Sequence, residues 1–229
     1  MILISDFFNL IYPRLCLACG YSLFSNEKTI CTSCLYHLPG TDFHKDKNNP
    51  VSQVFWGKVK LEAAAAYYFY SKGGKVQHLI HGLKYAGKKE IGIYIGKLYG
   101  MDLCSCPPFE DVDVIVPVPL HPKKLRKRGF NQSEMFARGI AISMNVKVDT
   151  IILYRRIASQ TQTRKTRFNR WKNVENIFDI RKAGSLKDKH ILLVDDVITT
   201  GSTIESCVHA LEKIPFVRIS VVAMAFASN

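Results

Sequence analysis

The chain has no run of residues long and apolar enough to span a bilayer, which sets aside a transmembrane protein. Residues 1–15 are apolar, yet they lack a basic leader and a small-residue cleavage site, and Asp6 interrupts them, so no secretory signal is expected. There is no internal repeat and no low-complexity tract, which excludes solenoids and compositionally biased tails. Acidic residues are scarce: 19 Asp and Glu stand against 32 Lys and Arg, a formal net charge of +13. That imbalance points to phosphorylated or polyanionic partners and says nothing of the fold. A cytoplasmic location is the expectation, and there the seven cysteines would be thiols or metal ligands. A length of 229 residues allows one sizeable core and a small appendage.

Four of the cysteines form two CxxC pairs, Cys16/Cys19 and Cys31/Cys34, with eleven residues between them. Each pair can grip one metal ion from two sides, and two together complete a tetrahedral thiolate set that leaves no position open for catalysis. Structural zinc is the reading adopted. Two disulfides would need an oxidising compartment, and a redox CxxC would not need its twin. His37 lies beside the second pair and is read as a bystander. Cys104 and Cys106 have a spacing poor for chelation, and Cys207 reads as a buried helix residue. Ahead of the first pair, Ile4, Phe7, Phe8 and Ile11 would share one helical face that packs on the rest of the protein. Residues 1–40 are therefore taken as a helix and zinc module, and residues 41–229 as an α/β domain joined to it by a polar linker at 41–50.

Within that domain the pattern predicts a strand over 59–70, helices over 76–85 and 89–101, and a strand over 112–116. A helix over 133–144 and a strand within 146–153 follow. Strands separated by helices indicate a parallel sheet. Prolines at Val118-Pro119-Leu120 force a turn at the carboxyl end of the 112–116 strand. A basic stretch comes next, with Lys123, Lys124, Arg126, Lys127 and Arg128, then Phe130. A second cationic segment includes Arg155, Arg164, Arg167, Arg170 and Trp171, with no acid between residue 154 and Glu175. A long, weakly patterned segment inside a domain reads as a functional lid or a loop. His78 and His81 could line a site, but packing or surface roles are favoured.

The most informative residues are Ile191-Leu192-Leu193-Val194, followed by Asp195, Asp196, then Thr199, Thr200, Gly201, Ser202 and Thr203, and a helix over 204–211. The apolar run reads as a buried parallel strand whose carboxyl end is a ligand-binding edge. The hydroxyl-rich turn would offer unpaired N–H groups at a helix N-terminus, where an anion is favoured. The carboxylates suit sugar hydroxyls, or Mg²⁺ held through water, beside that phosphate. A phosphate cup beside a diol binder describes a ribose-5-phosphate site. An ordinary strand–turn–helix would explain neither the paired acids nor the hydroxyl cluster.

The ordered set of apolar strand, Asp pair and TTGST resembles the 5-phosphoribosyl 1-pyrophosphate (PRPP) signature of type I phosphoribosyltransferases. With PVPLHPKKLRKRGFNQ, the arginine-rich segment, the four cysteines, Leu83-Lys84-Tyr85-Ala86-Gly87 and Arg170-Trp171-Lys172-Asn173, the chain is similar to the ComF/GntX family linked to bacterial competence for DNA uptake. The resemblance implies that Asp195 and Asp196 hold the ribose hydroxyls, residues 199–203 the 5-phosphate, and residues 118–120 the pyrophosphate. Residues 155–173 would be a flap, with Arg155, Arg164 and Arg167 as its clamp. Ser159 and Lys165 depart from the family's pattern within that flap. The implied chemistry is phosphoribosyl transfer to a nitrogen acceptor, with Mg²⁺ and pyrophosphate release. The alternative is a non-catalytic, PRPP-responsive protein that binds single-stranded DNA or DNA-processing partners through Lys123, Lys124, Arg126, Lys127, Arg128, Phe130, Arg170 and Trp171. A homodimer is left open.

Overall fold

Apolar runs without alternation mark strands covered on both faces, and the computed structural model, which describes residues 13–156, 177–181 and 183–227, places such runs at the centre of one sheet. The strands are Ala63–Phe69 (β1), Val114–Pro117 (β2), Lys147–Val148 (β3), Leu153–Arg155 (β4), Phe178–Ile180 (β5), His190–Ile198 (β6) and Arg218–Phe226 (β7). Five of them pair in parallel in the order β1-β7-β6-β2-β3, and β4 and β5 form a separate antiparallel pair. The helices are Thr32–His37 (α1), Pro50–Phe55 (α2), Lys75–Tyr85 (α3), Lys89–Cys104 (α4), Pro122–Arg128 (α5), Gln132–Met144 (α6) and Ser202–Leu211 (α7). Among the described residues no helix is long and apolar enough to cross a membrane.

Alternate residues of the central strands feed two cores. Ala65, Ile115, Leu192, Val194 and Val222 face Leu79, Leu83, Ile95, Tyr99 and Phe136. Ala64, Ala66, Val116, Leu193 and Ala223 face Val51, Phe55, Ile204, Val208 and Leu211. On the first side α4 and α6 touch backbone to backbone, because a Cβ at Gly96 would run into the Phe136 carbonyl oxygen and one at Gly139 into that of Ile93. This close approach fixes α6, whose first turn reaches the functional site.

Two expectations need correction, and the basic stretch takes a form of its own. Residues 41–50 are not a free linker: Thr41 N–H donates to Tyr67 O (3.1 Å), Asn49 Nδ2 donates to Ala64 O (2.7 Å), and Asn49 and His44 are buried along β1. The strand expected within 146–153 is cut in two, because Asp149 Oδ1 accepts from the N–H groups of Ile151 (2.8 Å) and Ile152 (2.9 Å). Such a local carboxylate turn competes with the ladder, so β3 joins the main sheet and β4 does not. The basic stretch 122–128 is a helix of its own, capped by His121, whose Nδ1 accepts from Lys123 N (3.1 Å), and ended by Gly129 at φ +78°.

The four cysteines pack on the first core: Cys16, Ala18, Ile30, Cys34 and Leu38 share one apolar cluster with Leu79 and Leu83. The amphipathic stretch at Ile4, Phe7, Phe8 and Ile11 lies outside the described residues.

Candidate ribose-phosphate site and cysteine centre

The register explains why two carboxylates can sit inside a buried strand. β6 pairs with β7 as far as Ile198 opposite Phe226, but with β2 only as far as Val194 opposite Pro117. The last bond from the β2 side is Val118 N–H to Val194 O (2.8 Å); the chain then turns away at Pro119 and leaves one edge of β6 open at Asp195 and Asp196. Ligands of open α/β sheets bind at such crevices.

Asp195 Oδ1 accepts from Ser133 Oγ (2.9 Å) and from Asp196 N (2.8 Å). Burial, together with the Asp196 charge, pushes Asp195 up to about 7 despite these bonds. Asp196 Oδ2 takes the other solution, an ion pair with Lys84 Nζ at 2.9 Å, with the two side chains 15% and 20% exposed.

Beyond Ile198 the chain turns through Thr199, Thr200, Gly201, Ser202 and Thr203 into α7. Gly201 stands at φ +77°, and a Cβ there would lie 2.7 Å from Val54 Cγ1 and 2.8 Å from Phe55 Cε1. Only glycine satisfies both demands. It is also the N-cap and supplies no side-chain acceptor to the first turn of α7. Thr199, Thr200, Ser202 and Thr203 are exposed, with Thr200 Oγ1 3.2 Å from Ser202 Oγ. The turn therefore presents hydroxyls and uncapped helix N–H groups together, which suits an anion.

The Val118-Pro119-Leu120 turn borders the same crevice. Val118 N–H donates to Val194 O (2.8 Å), and Val118 O accepts from Asn131 Nδ2 (2.9 Å), while Asn131 Oδ1 accepts from Ser133 N (3.2 Å). Val118 is buried and Pro119 and Leu120 are half-buried, so the backbone of this turn, more than its side chains, is what a ligand would meet.

Lys123, Lys124, Arg126 and Lys127 project from α5 into solvent, whereas Arg128 donates to Gln132 Oε1 (2.7 Å) and lies over the Tyr85 ring at 5.4 Å. Phe130 must be withdrawn from the nucleic-acid set. It is 7% exposed in the first core, with Lys89 Nζ 5.1 Å from its ring, and offers no face for base stacking. Arg155 is half-buried on β4 with its guanidinium 5.4 Å from the Phe178 ring. Arg164, Arg167, Arg170 and Trp171 lie outside the described residues. Asp179 on β5 takes Arg156 and Lys213 (3.2 Å), which ties the start of the arginine-rich segment to the strand that follows it. The Arg156 guanidinium, outweighing slight desolvation, holds the Asp179 carboxyl well below its usual range.

The sulfur atoms of Cys16, Cys19, Cys31 and Cys34 all lie within 4.8 Å of one another, and all four are free thiols. A tetrahedron with Zn–S of about 2.3 Å needs sulfurs about 3.8 Å apart, and Cys19 and Cys31 stand at 3.8 Å. Cys16 Sγ accepts from Cys31 N (3.2 Å) and Cys31 Sγ from Cys34 N (3.4 Å). Against the effect of burial, backbone N–H groups of Cys31, Ala18 and Cys19 bring Cys16 down to about 7, toward the thiolate that binds metal. Glu27 braces the hairpin by accepting from Phe24 N (2.9 Å) and Thr32 N (2.6 Å). The set fits a structural zinc ion. His37 stands apart on Ser33 O (2.7 Å), Cys104 donates to Ser143 O (3.3 Å) and Cys106 to His44 O (2.8 Å).

Sequence reasoning missed Ser133, Asn131 and Lys84. Asn131 is the N-cap of α6 and Ser133 lies in its first turn, where Asn and Ser read as ordinary helix-start residues. Lys84 lies within the Leu83–Gly87 motif, which by itself assigns it no role. His78 and His81 are exposed on α3.

The phosphoribosyl transferase domain family matches residues 131–227, from the start of α6, where Ser133 donates to Asp195, through β6, the hydroxyl turn, α7 and β7. The DNA utilization protein YhgH of Escherichia coli strain K12 is 28% identical over 182 residues, spanning 78% of this chain and 75% of that protein. Competence protein F of Haemophilus influenzae is 29% identical over 116 residues, 50% of this chain and 51% of the relative. Competence protein ComFC of Bacillus subtilis is 31% identical over 98 residues, 43% of this chain and 38% of the relative. A parallel sheet with this crevice and the phosphoribosyl transferase match over residues 131–227 identify a type I phosphoribosyltransferase fold, and relatives of these names support the similarity to the ComF/GntX family.

Proposed function

We propose that the protein binds PRPP as its magnesium complex and transfers the phosphoribosyl group to a nitrogen acceptor. The observation that carries this reading is the acid pair at the open edge of β6, one turn away from the uncapped N-terminus of α7. Asp195 and Asp196 receive the ribose hydroxyls, residues 199–203 the 5-phosphate, and the backbone at 118–120 the pyrophosphate. Mg²⁺, when bound, offsets the pyrophosphate charge as it leaves C1′. Ser133 holds the Asp195 carboxylate toward the sugar, and Arg155 lends positive charge from β4. Arg164 and Arg167, in the segment that follows, complete the clamp. The protein's own contribution is electrostatic placement: the acceptor's lone pair forms the bond to C1′ as the C1′–O bond to pyrophosphate breaks, and the proton shed by that nitrogen passes to solvent or to the departing pyrophosphate. Zinc at the four cysteines serves folding.

A second reading is favoured by α5, with Lys123, Lys124, Arg126 and Lys127 exposed on one short helix, and by relatives named for DNA utilization and competence. In it the protein binds single-stranded DNA and PRPP sets its state. Phosphorus NMR of Mg·PRPP with the protein, with and without nucleobases, ammonia or single-stranded DNA, separates the two. Pyrophosphate release that depends on Asp195 and Asp196 makes it a transferase. PRPP that is bound but stays whole makes it a PRPP-responsive DNA-handling protein.

A further inference from the structure

Among the described residues Lys84–Asp196 is the most enclosed Lys- or Arg-to-carboxylate pair, with side chains 20% and 15% exposed. Other such pairs keep the cation near half exposed or more: 45% for Arg218, 47% for Arg156 and Lys189, 51% for Lys213, 54% for Arg138 and 67% for Lys45. Surface pairs contribute little, and an enclosed pair costs desolvation of both ions. An enclosed lysine is therefore poorly explained as a stabilising strut. Its position is what distinguishes it: it comes from the last turn of α3 and ends on one carboxylate of the ribose-phosphate crevice. The neighbouring carboxylate is treated differently, since Asp195 is met by the neutral donors Ser133 Oγ and Asp196 N–H. An ammonium group has three donors, and Asp196 takes one of them.

We propose that Lys84 is the fixed cation of this crevice: a positioning residue that orients Asp196 and supplies, at the acid pair, positive charge that a divalent metal would otherwise supply. This rests on the reading of residues 118–120, 195–196 and 199–203 as a ribose-phosphate site. Two carboxylates beside a phosphate cup would repel an incoming phosphorylated sugar. Lys84 offsets the Asp196 charge in place, so a sugar phosphate meets a site that needs less help from metal. The same ammonium competes with a divalent ion for Asp196. Removing it must therefore shift two affinities in opposite directions: the metal binds more tightly and the metal-free sugar phosphate more weakly.

The experiment uses the full chain and its K84A, K84Q and K84R variants. Mn²⁺ binding is read by electron paramagnetic resonance, and ribose 5-phosphate binding by calorimetry without added divalent cation. K84A and K84Q are expected to bind Mn²⁺ about tenfold more tightly and ribose 5-phosphate about tenfold more weakly, with K84R near the unsubstituted protein on both. K84Q keeps a neutral donor on a side chain one atom shorter, so it carries the test if K84A does not fold. Two affinities that weaken together, as a merely structural role predicts, would overturn the proposal, and so would two that stay unchanged. An unsubstituted protein that binds neither Mg·PRPP nor ribose 5-phosphate overturns the underlying site reading. One that binds both, with variants indifferent to residue 84, overturns only the role of Lys84.

Discussion

Asp195 and Ser133 show how much of the site depends on single contacts. Ser133→Ala removes the hydroxyl that donates to Asp195 and leaves the fold untouched, since the α6 cap is made by Asn131. A partly buried carboxylate that loses one donor costs about 1 kcal/mol of folding stability, so the melting temperature should drop by a few degrees, and Mg·PRPP affinity should fall in calorimetric titration because Asp195 is no longer held. The Asp195 charge itself opposes folding. Its carboxyl is raised from the model-peptide range to about 7, so between about pH 4 and pH 7 the folded protein holds a proton that the unfolded chain has released. Stability from this group is full at low pH and is lost as pH rises through that window. Asp195→Asn should therefore match the unsubstituted protein near pH 4 and exceed it by about 1–3 kcal/mol above pH 7 in urea unfolding. A constant difference across that range would contradict the assignment.

At the scale of elements, the turn between β6 and α7 is held by what packs beneath it. Gly201→Ala places a Cβ against Val54 and Phe55 at positive φ, so α2 must move or the turn must open. The expected loss is about 1–3 kcal/mol of stability, together with phosphate binding. The sequence made β6, the hydroxyl turn and α7 legible because an apolar strand, paired acids and a helix start are each local signals. It did not reveal why the acids are accessible, because that depends on β2 ending at Pro117, across from Val194, a pairing between residues far apart in the chain. Phe130 misled for the same reason. Beside five basic residues it reads as a stacking face, and only the packing of α6 on α4 shows that its ring belongs to the core. Lys84 and Ser133 come from two other helices, and nothing in their spacing from Asp195 and Asp196 announces that they meet.

For the whole molecule, the cysteine centre and the sheet share one apolar interior, through Cys34, Leu38, Leu79 and Leu83. Loss of metal should therefore destabilise more than the hairpin. Treatment with a strong chelator is expected to lower the single thermal transition of the whole chain, with zinc restoring it. The excess of positive charge has its own consequence. Reversing Lys123, Lys124, Arg126 and Lys127 to Glu should weaken single-stranded DNA binding and flatten its dependence on salt, with Mg·PRPP affinity kept. An unchanged salt slope would exclude α5 as the contact. The most direct test of the ribose-phosphate reading is calorimetric titration of Mg·PRPP into the full chain and into the Asp195→Asn/Asp196→Asn double variant. Saturable binding by the first and none by the second is the predicted result, and equal binding by both would contradict it.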